Sequence, residues 1–220
     1  MKSKVLKLIV FVGLLCVTGM FLGHFAQTFR PMINASWNAE KVLYSTPDRS
    51  LKKTFSNQKI SSLGWEALLP AAEKSLLAHY QTLATQDFSE QLALSLQASS
   101  DDAYKSALYS TNVVNDALEK FVSISGFIVP IEVNADRSIK SFFLVPYFGA
   151  CIHYPPPPPN QMIFVQLVDG FKNIELHKAF TLSGILSKGL FEDPLGTSAY
   201  LLEVVNIKPY QGQPDDFRQH

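Results

Sequence analysis

The stretch FVSISGFIVPIEV, Phe121 to Val133, decides the fold. Val122 and Ile124 are apolar at even positions before Gly126, whereas Phe127, Val129, Ile131 and Val133 are apolar at odd positions after it. Side chains of a strand alternate between two faces, so a change of phase at a glycine means that the strand bends or bulges there. Phe180 and Leu182 before Gly184, with Ile185 after it, repeat the pattern. Working outward, further segments rich in Val, Ile and Phe run over Ile139–Pro146, Met162–Val168, Phe180–Leu186 and Tyr200–Tyr210. Turn-like stretches at Asn134–Arg137 and Asp193–Ser198 separate them. Five strands, two of them bent, predict a barrel rather than a flat sheet. The expected fold is mainly β, a five-stranded OB-like barrel over residues 119–210 followed by a short tail, 211–220.

Before the barrel the period changes. Trp65, Leu68 and Leu69 lead into Pro70, which suits a first helical turn, and Leu69, Ala72, Leu76, Tyr80 and Leu83 recur at helical spacing. Asp87 with Glu90 resembles a capping box for a second helix along Phe88, Leu92 and Leu96, and Asp101–Asp102 start a third to about Ser110. Residues 60–118 therefore read as two or three short helices. Residues 27–59 show no sustained period and read as a linker or loosely packed arm.

The first residues have a different character. Lys2, Lys4 and Lys7 precede Leu8–Leu22, LIVFVGLLCVTGMFL, and no charged residue occurs from Leu8 to Phe29. A basic start and an apolar run of this length are a secretory pattern. Residues 1–26 are expected to be a signal peptide or signal anchor, with the rest in the periplasm, and residues 8–29 would supply any tether to the inner membrane. Cys16 follows Leu15, where lipidation before a cysteine wants a small residue, so it reads as part of the apolar run. The chain has 19 basic and 19 acidic residues, but three of the basic ones are these lysines, leaving 16 against 19 and a net charge of −3 beyond them. That balance disfavours nucleic acid as a partner.

Between the second and third strands lies VPYFGACIHYPPPPPNQ, Val145 to Gln161. Five prolines, Pro155 to Pro159, lack backbone donors and fit a polyproline II rod. Two readings stand open for them: a stiff brace, or a docking strip of Tyr154, Pro155, Pro156, Pro157, Pro158, Pro159, Asn160 and Gln161 for an aromatic-lined groove on a partner. Cys151 and His153, two positions apart, share one side of an extended chain and are good ligands for zinc or copper. Further ligands would come from Glu175, His177, Glu203 or a partner; the other reading is a buried structural thiol beside a hydrogen-bonded imidazole. Nucleophilic catalysis by the pair is disfavoured, because the ring reaches the sulfur only with strain at this spacing. No P-loop, dinucleotide fingerprint or HExxH is present, so no enzyme activity is expected.

These residues carry a resemblance. Phe143–Tyr147, Gly149–His153 and Pro155–Gln161 resemble the signature of a family of bacterial exported proteins with a domain of unknown function. The Trp65–Pro70 entry, the Ser125–Glu132 strand and the Thr181–Leu186 strand match as well. The resemblance implies an OB-like barrel without an established activity. Association of such proteins with transporter components and metal-uptake genes implies an accessory role in envelope transport, with zinc as the cofactor to test. The sequence thus points to a non-enzymatic binding or adaptor protein of the envelope. The alternative is a structural or protein-interaction module with an inert Cys151.

Overall fold

A computed structural model describes residues 42–83, 96–150, 157–172, 175–210 and 212, with side chains 80–83 excepted. Five long strands carry the core: β3 (Lys120–Val133), β4 (Ile139–Val145), β5 (Ile163–Phe171), β6 (Phe180–Asp193) and β7 (Gly196–Pro209). β3 pairs antiparallel with β4, β4 antiparallel with β5, β5 parallel with β7, β7 antiparallel with β6, and β6 antiparallel with β3. The hydrogen-bonded ring closes on itself, and closure removes the sticky edges of an open sheet. This is the expected OB-like barrel.

The ring closes at Gly126. Lys120–Gly126 pair with β6, and from Phe127 onward the same strand pairs with β4. The phase change read from the sequence is thus a change of partner. A Cβ at Gly126 would lie 2.5 Å from the Val145 carbonyl oxygen and 2.9 Å from Trp65 Cζ2, so the strand can turn this corner only without a side chain. The register shifts of β3 fall later, between Pro130 and Val133. Beyond them Val133, apolar at an odd position like Phe127, is exposed. At Gly184 the β6 and β7 ladder slips: Ser183 faces Asn206, Gly184 faces Val204, and Val205 is the extra residue. β6 also runs past its expected end at Leu186, because Ser187–Asp193 continue as a hairpin with β7 and need only that one partner.

The core is apolar and aromatic. Phe142, Phe143, Leu144 and Val145 in β4 are all fully buried, so that strand is covered on both faces. Phe143 also sits edge-on to Phe164 and Phe191, which stack with centroids 3.6 Å apart.

Shorter elements wrap the barrel. β1 (Tyr44–Ser45) pairs antiparallel with β7, and α1 (Arg49–Ser56) follows, capped by the Asp48 carboxylate, which accepts from the amides of Ser50 and Leu51. Residues 44–56 therefore hold regular structure inside a stretch that shows no period, since a two-residue strand and a polar helix with one buried residue, Leu51, display none. β2 (Ser61–Ser62) pairs parallel with β3, and Trp65–Leu68 form a 3-10 turn. α2 (Ala71–Leu83) begins directly after Pro70, and α3 (Asp102–Leu108) is capped by Asp101, both as expected. Residues 96–100 are helical, while Asp87, Phe88, Glu90 and Leu92 lie outside the described residues. α2 buries Leu77 and half-buries Glu73 and Leu76, leaving Ala72 exposed. Its inward face is rotated from the apolar stripe because a carboxylate forms part of the contact.

Candidate functional site

The segment Val145–Gln161 connects β4 to β5 and is anchored at both described ends. On the β4 side Val145 is fully buried, Tyr147 is half-buried, and Phe148 is exposed, its ring edge-on to Phe127 at 5.8 Å. Gly149 has φ 76°, a left-handed value that glycine takes without steric penalty. The turn is closed by the Ala150 amide donating to the Tyr147 carbonyl, and it brings Ala150 back into full burial.

Cys151, Ile152, His153, Tyr154, Pro155 and Pro156 lie outside the described residues. The chain returns at Pro157 already inside the fold: Pro157, Pro158, Pro159 and Asn160 are all buried, and Gln161 is half-buried. Pro158 has φ −56° and ψ 153°, the expected polyproline II geometry, and Pro159–Gln161 then form a 3-10 turn into β5. Pro157 to Asn160 are thus packed within the chain, whereas Tyr154, Pro155 and Pro156 of the same strip lie outside the described residues.

A polar bracket ties the motif to the helical segment. The Asn160 side-chain amide donates to Glu73 Oε2 at 2.7 Å and to the Asn112 carbonyl at 3.0 Å. Glu73 Oε1 accepts from Ser110 Oγ at 2.7 Å and from Asn112 Nδ2 at 2.8 Å. Next in the chain, Gln161 Nε2 donates to the Trp65 carbonyl at 2.8 Å, and Trp65 Nε1 donates to the Ser125 carbonyl at 2.7 Å. The fully buried Tyr200 of β7 completes the join: its hydroxyl donates to the Leu68 carbonyl at 2.9 Å and accepts from the Val114 amide at 2.8 Å. Burial holds this phenol above its ordinary pKa; the Val114 hydrogen bond pulls it down in part, and the Glu73 charge pushes it up. A neutral phenol is what the donated bond requires.

Buried polar groups cost free energy unless they are paired, so this set fixes one geometry for the motif's exit. The sequence motif contains Asn160 and Gln161 but none of Glu73, Ser110, Asn112 and Tyr200. The one available signal was Glu73, an acid beside an apolar stripe.

Among the described residues no three of His, Cys, Asp and Glu converge on a point. Glu175 and His177 are exposed between β5 and β6, with Glu175 ion-paired to Lys178, and Glu203 is exposed in β7 opposite Ile185. The structure does not gather these three, and Cys151 and His153 fall outside its described part. No described helix is long and apolar enough to cross a membrane. Residues 1–41 are not among those described.

Comparison with known proteins agrees with this architecture. The chain is similar to a crystal structure of a protein of the DUF3299 family from Pseudomonas aeruginosa PAO1, at 25% sequence identity and a TM-score of 0.50. The match covers 71% of this chain and 99% of that one. No curated protein matches the chain. The family profile described as "Protein of unknown function (DUF3299)" matches residues 65–209, which take in α2, α3, the barrel and the whole motif. On that match the chain belongs to the DUF3299 family.

Proposed function

We propose that this protein is a non-enzymatic binding and adaptor module of the bacterial envelope, in which Cys151 and His153 bind zinc in the service of a transport system. The observation that carries the reading is the anchoring of the motif. Ala150 on one side and Pro157–Asn160 on the other are buried, and Asn160 and Gln161 are hydrogen-bonded to Glu73, Asn112 and Trp65. A short connection between two fixed ends limits the conformations open to a thiolate and an imidazole, which lowers the entropic cost of ordering them around a metal. Glu175, His177, Glu203 or a transporter component in the envelope would supply the remaining ligands. The leader at residues 1–26 delivers the module to the periplasm.

A second reading draws on the same burial of Ala150: Cys151 is an inert structural thiol, and the module acts through protein contacts alone. Maleimide labelling of the folded full chain in a Cys16→Ser background separates the two. The metal reading expects Cys151 to label in the native protein and zinc to protect it; the structural reading expects labelling only after denaturation. A thiol that reacts fast at neutral pH with a depressed pKa, whether or not zinc is present, would overturn both in favour of thiol chemistry.

A further inference from the structure

The cleft that the motif does not use lies on the outer face of the barrel where β3 pairs with β6. Its volume is about 520 Å³, inside the range of roughly 300–1,000 Å³ usual for small-molecule sites. Its floor carries three hydroxyls, those of Ser123 and Ser125 on β3 and Thr181 on β6; Ser125 stands opposite Thr181, and their hydroxyls are 2.8 Å apart. The inward neighbours Val122, Ile124 and Leu182 are buried in the core, so the hydroxyls take the opposite face by simple alternation.

One wall is the chain from Ser62 to Ala67. It is held over β3 by the β2 pairing, by the Leu63 amide on the Ser123 carbonyl and by Trp65 Nε1 on the Ser125 carbonyl. Tyr210 and the ion-paired side chains of Glu66 and Lys74, each of the pair about half exposed, complete the lining.

We infer that this cleft binds a saccharide. A hydroxyl both donates and accepts, so the Ser125 and Thr181 pair, having spent one bond on each other, keeps capacity for the two-way hydrogen bonding that a sugar's own hydroxyls need. Tyr210 adds a side chain with an apolar body and a polar tip to the lining. The lining carries one acid and one base already paired with each other, so it favours a neutral ligand over a strongly charged one. None of the described lining residues belongs to the Val145–Gln161 segment, so the inference stands whether or not Cys151 and His153 bind metal.

The test is saturation-transfer difference NMR on the full chain with millimolar maltose and, in a parallel arm, N,N′-diacetylchitobiose, which distinguishes a plain from an N-acetylated sugar. Two variants accompany the wild type. Ser125→Ala with Thr181→Val removes the hydroxyl pair at nearly constant shape, and Ser62→Trp, at an exposed position on the rim, fills the cleft. Transfer to at least one sugar is expected in the wild type, with binding about tenfold weaker in the double variant, as loss of hydrogen-bond partners implies, and abolished by Ser62→Trp. Absence of transfer to both sugars in the wild type overturns the inference, as does undiminished transfer in either folded variant. If the double variant does not fold, Ser62→Trp decides alone.

Discussion

The side-chain amide of Asn160 donates to the carboxylate of Glu73 at 2.7 Å, a bond between residues 87 positions apart that joins the end of the proline run to α2. Glu73 collects three donors, from Ser110, Asn112 and Asn160, and so holds the helical segment, the approach to β3 and the motif in one arrangement. Asn160 has 0% exposure, and it cannot exchange this partner for water.

Replacing that carboxylate should therefore be costly. Glu73→Ala is expected to lower stability by about 2–3 kcal/mol, because hydrogen bonds to a charged group are worth about 1.5–3 kcal/mol and buried donors are left without acceptors. Ser110→Ala should cost about 1 kcal/mol. Urea unfolding with an unchanged m value checks both; equal, small losses would show that the bracket is not held by the charge.

Tyr200→Phe keeps the ring and removes the hydroxyl that joins the Val114 amide to the Leu68 carbonyl. The expected loss is about 1–3 kcal/mol, the penalty for buried backbone groups left unpaired. Thermal unfolding followed by circular dichroism reads it, and the far-ultraviolet spectrum should not change.

Gly126→Ala tests the corner at which β3 changes partner. The added methyl meets the Val145 carbonyl and Trp65 rather than flexible side-chain ends. A loss of about 1–3 kcal/mol is expected from overpacking, with a shifted Trp65 fluorescence maximum as the indole is displaced.

How far the sequence revealed this structure depends on the kind of contact. The barrel strands were legible because alternation, and its break at Gly126, is a local pattern that survives in one dimension. The two-residue strands β1 and β2 were not, since their pairing with Ile207, Asn206, Val122 and Ser123 is entirely non-local. The inward turn of α2 was missed for a related reason: Glu73 is drawn in by partners at 110, 112 and 160, whereas helical periodicity counts only apolar side chains. The motif was found from its composition, but the burial of Pro157–Asn160 was not, because a proline run reads the same as an exposed rod and as a packed brace.

Acid should weaken the β3–β4 turn. Hydrogen bonds from Ser138 and then Lys172 hold the Asp136 carboxyl below the usual carboxylate range. A depressed native pKa means that the unfolded chain binds more protons in the window below about pH 4, so this contribution is intact above that pH and is lost as pH falls. Asp136→Asn should lower the neutral plateau toward the acid value, and so flatten the acid limb of the stability profile. Denaturant midpoints measured from pH 2 to pH 7 provide the comparison, and an unchanged acid limb would contradict the assignment.

Zinc binding by Cys151 and His153, between two fixed ends of the chain, is open to direct measurement. Elemental analysis of the full chain, purified under zinc- and copper-replete conditions beside the Cys151→Ser and His153→Ala variants, tests it most directly. Zinc near one equivalent is expected in the wild type and a marked loss in both variants, with all three proteins folded. Equal, sub-stoichiometric metal in all three would contradict it.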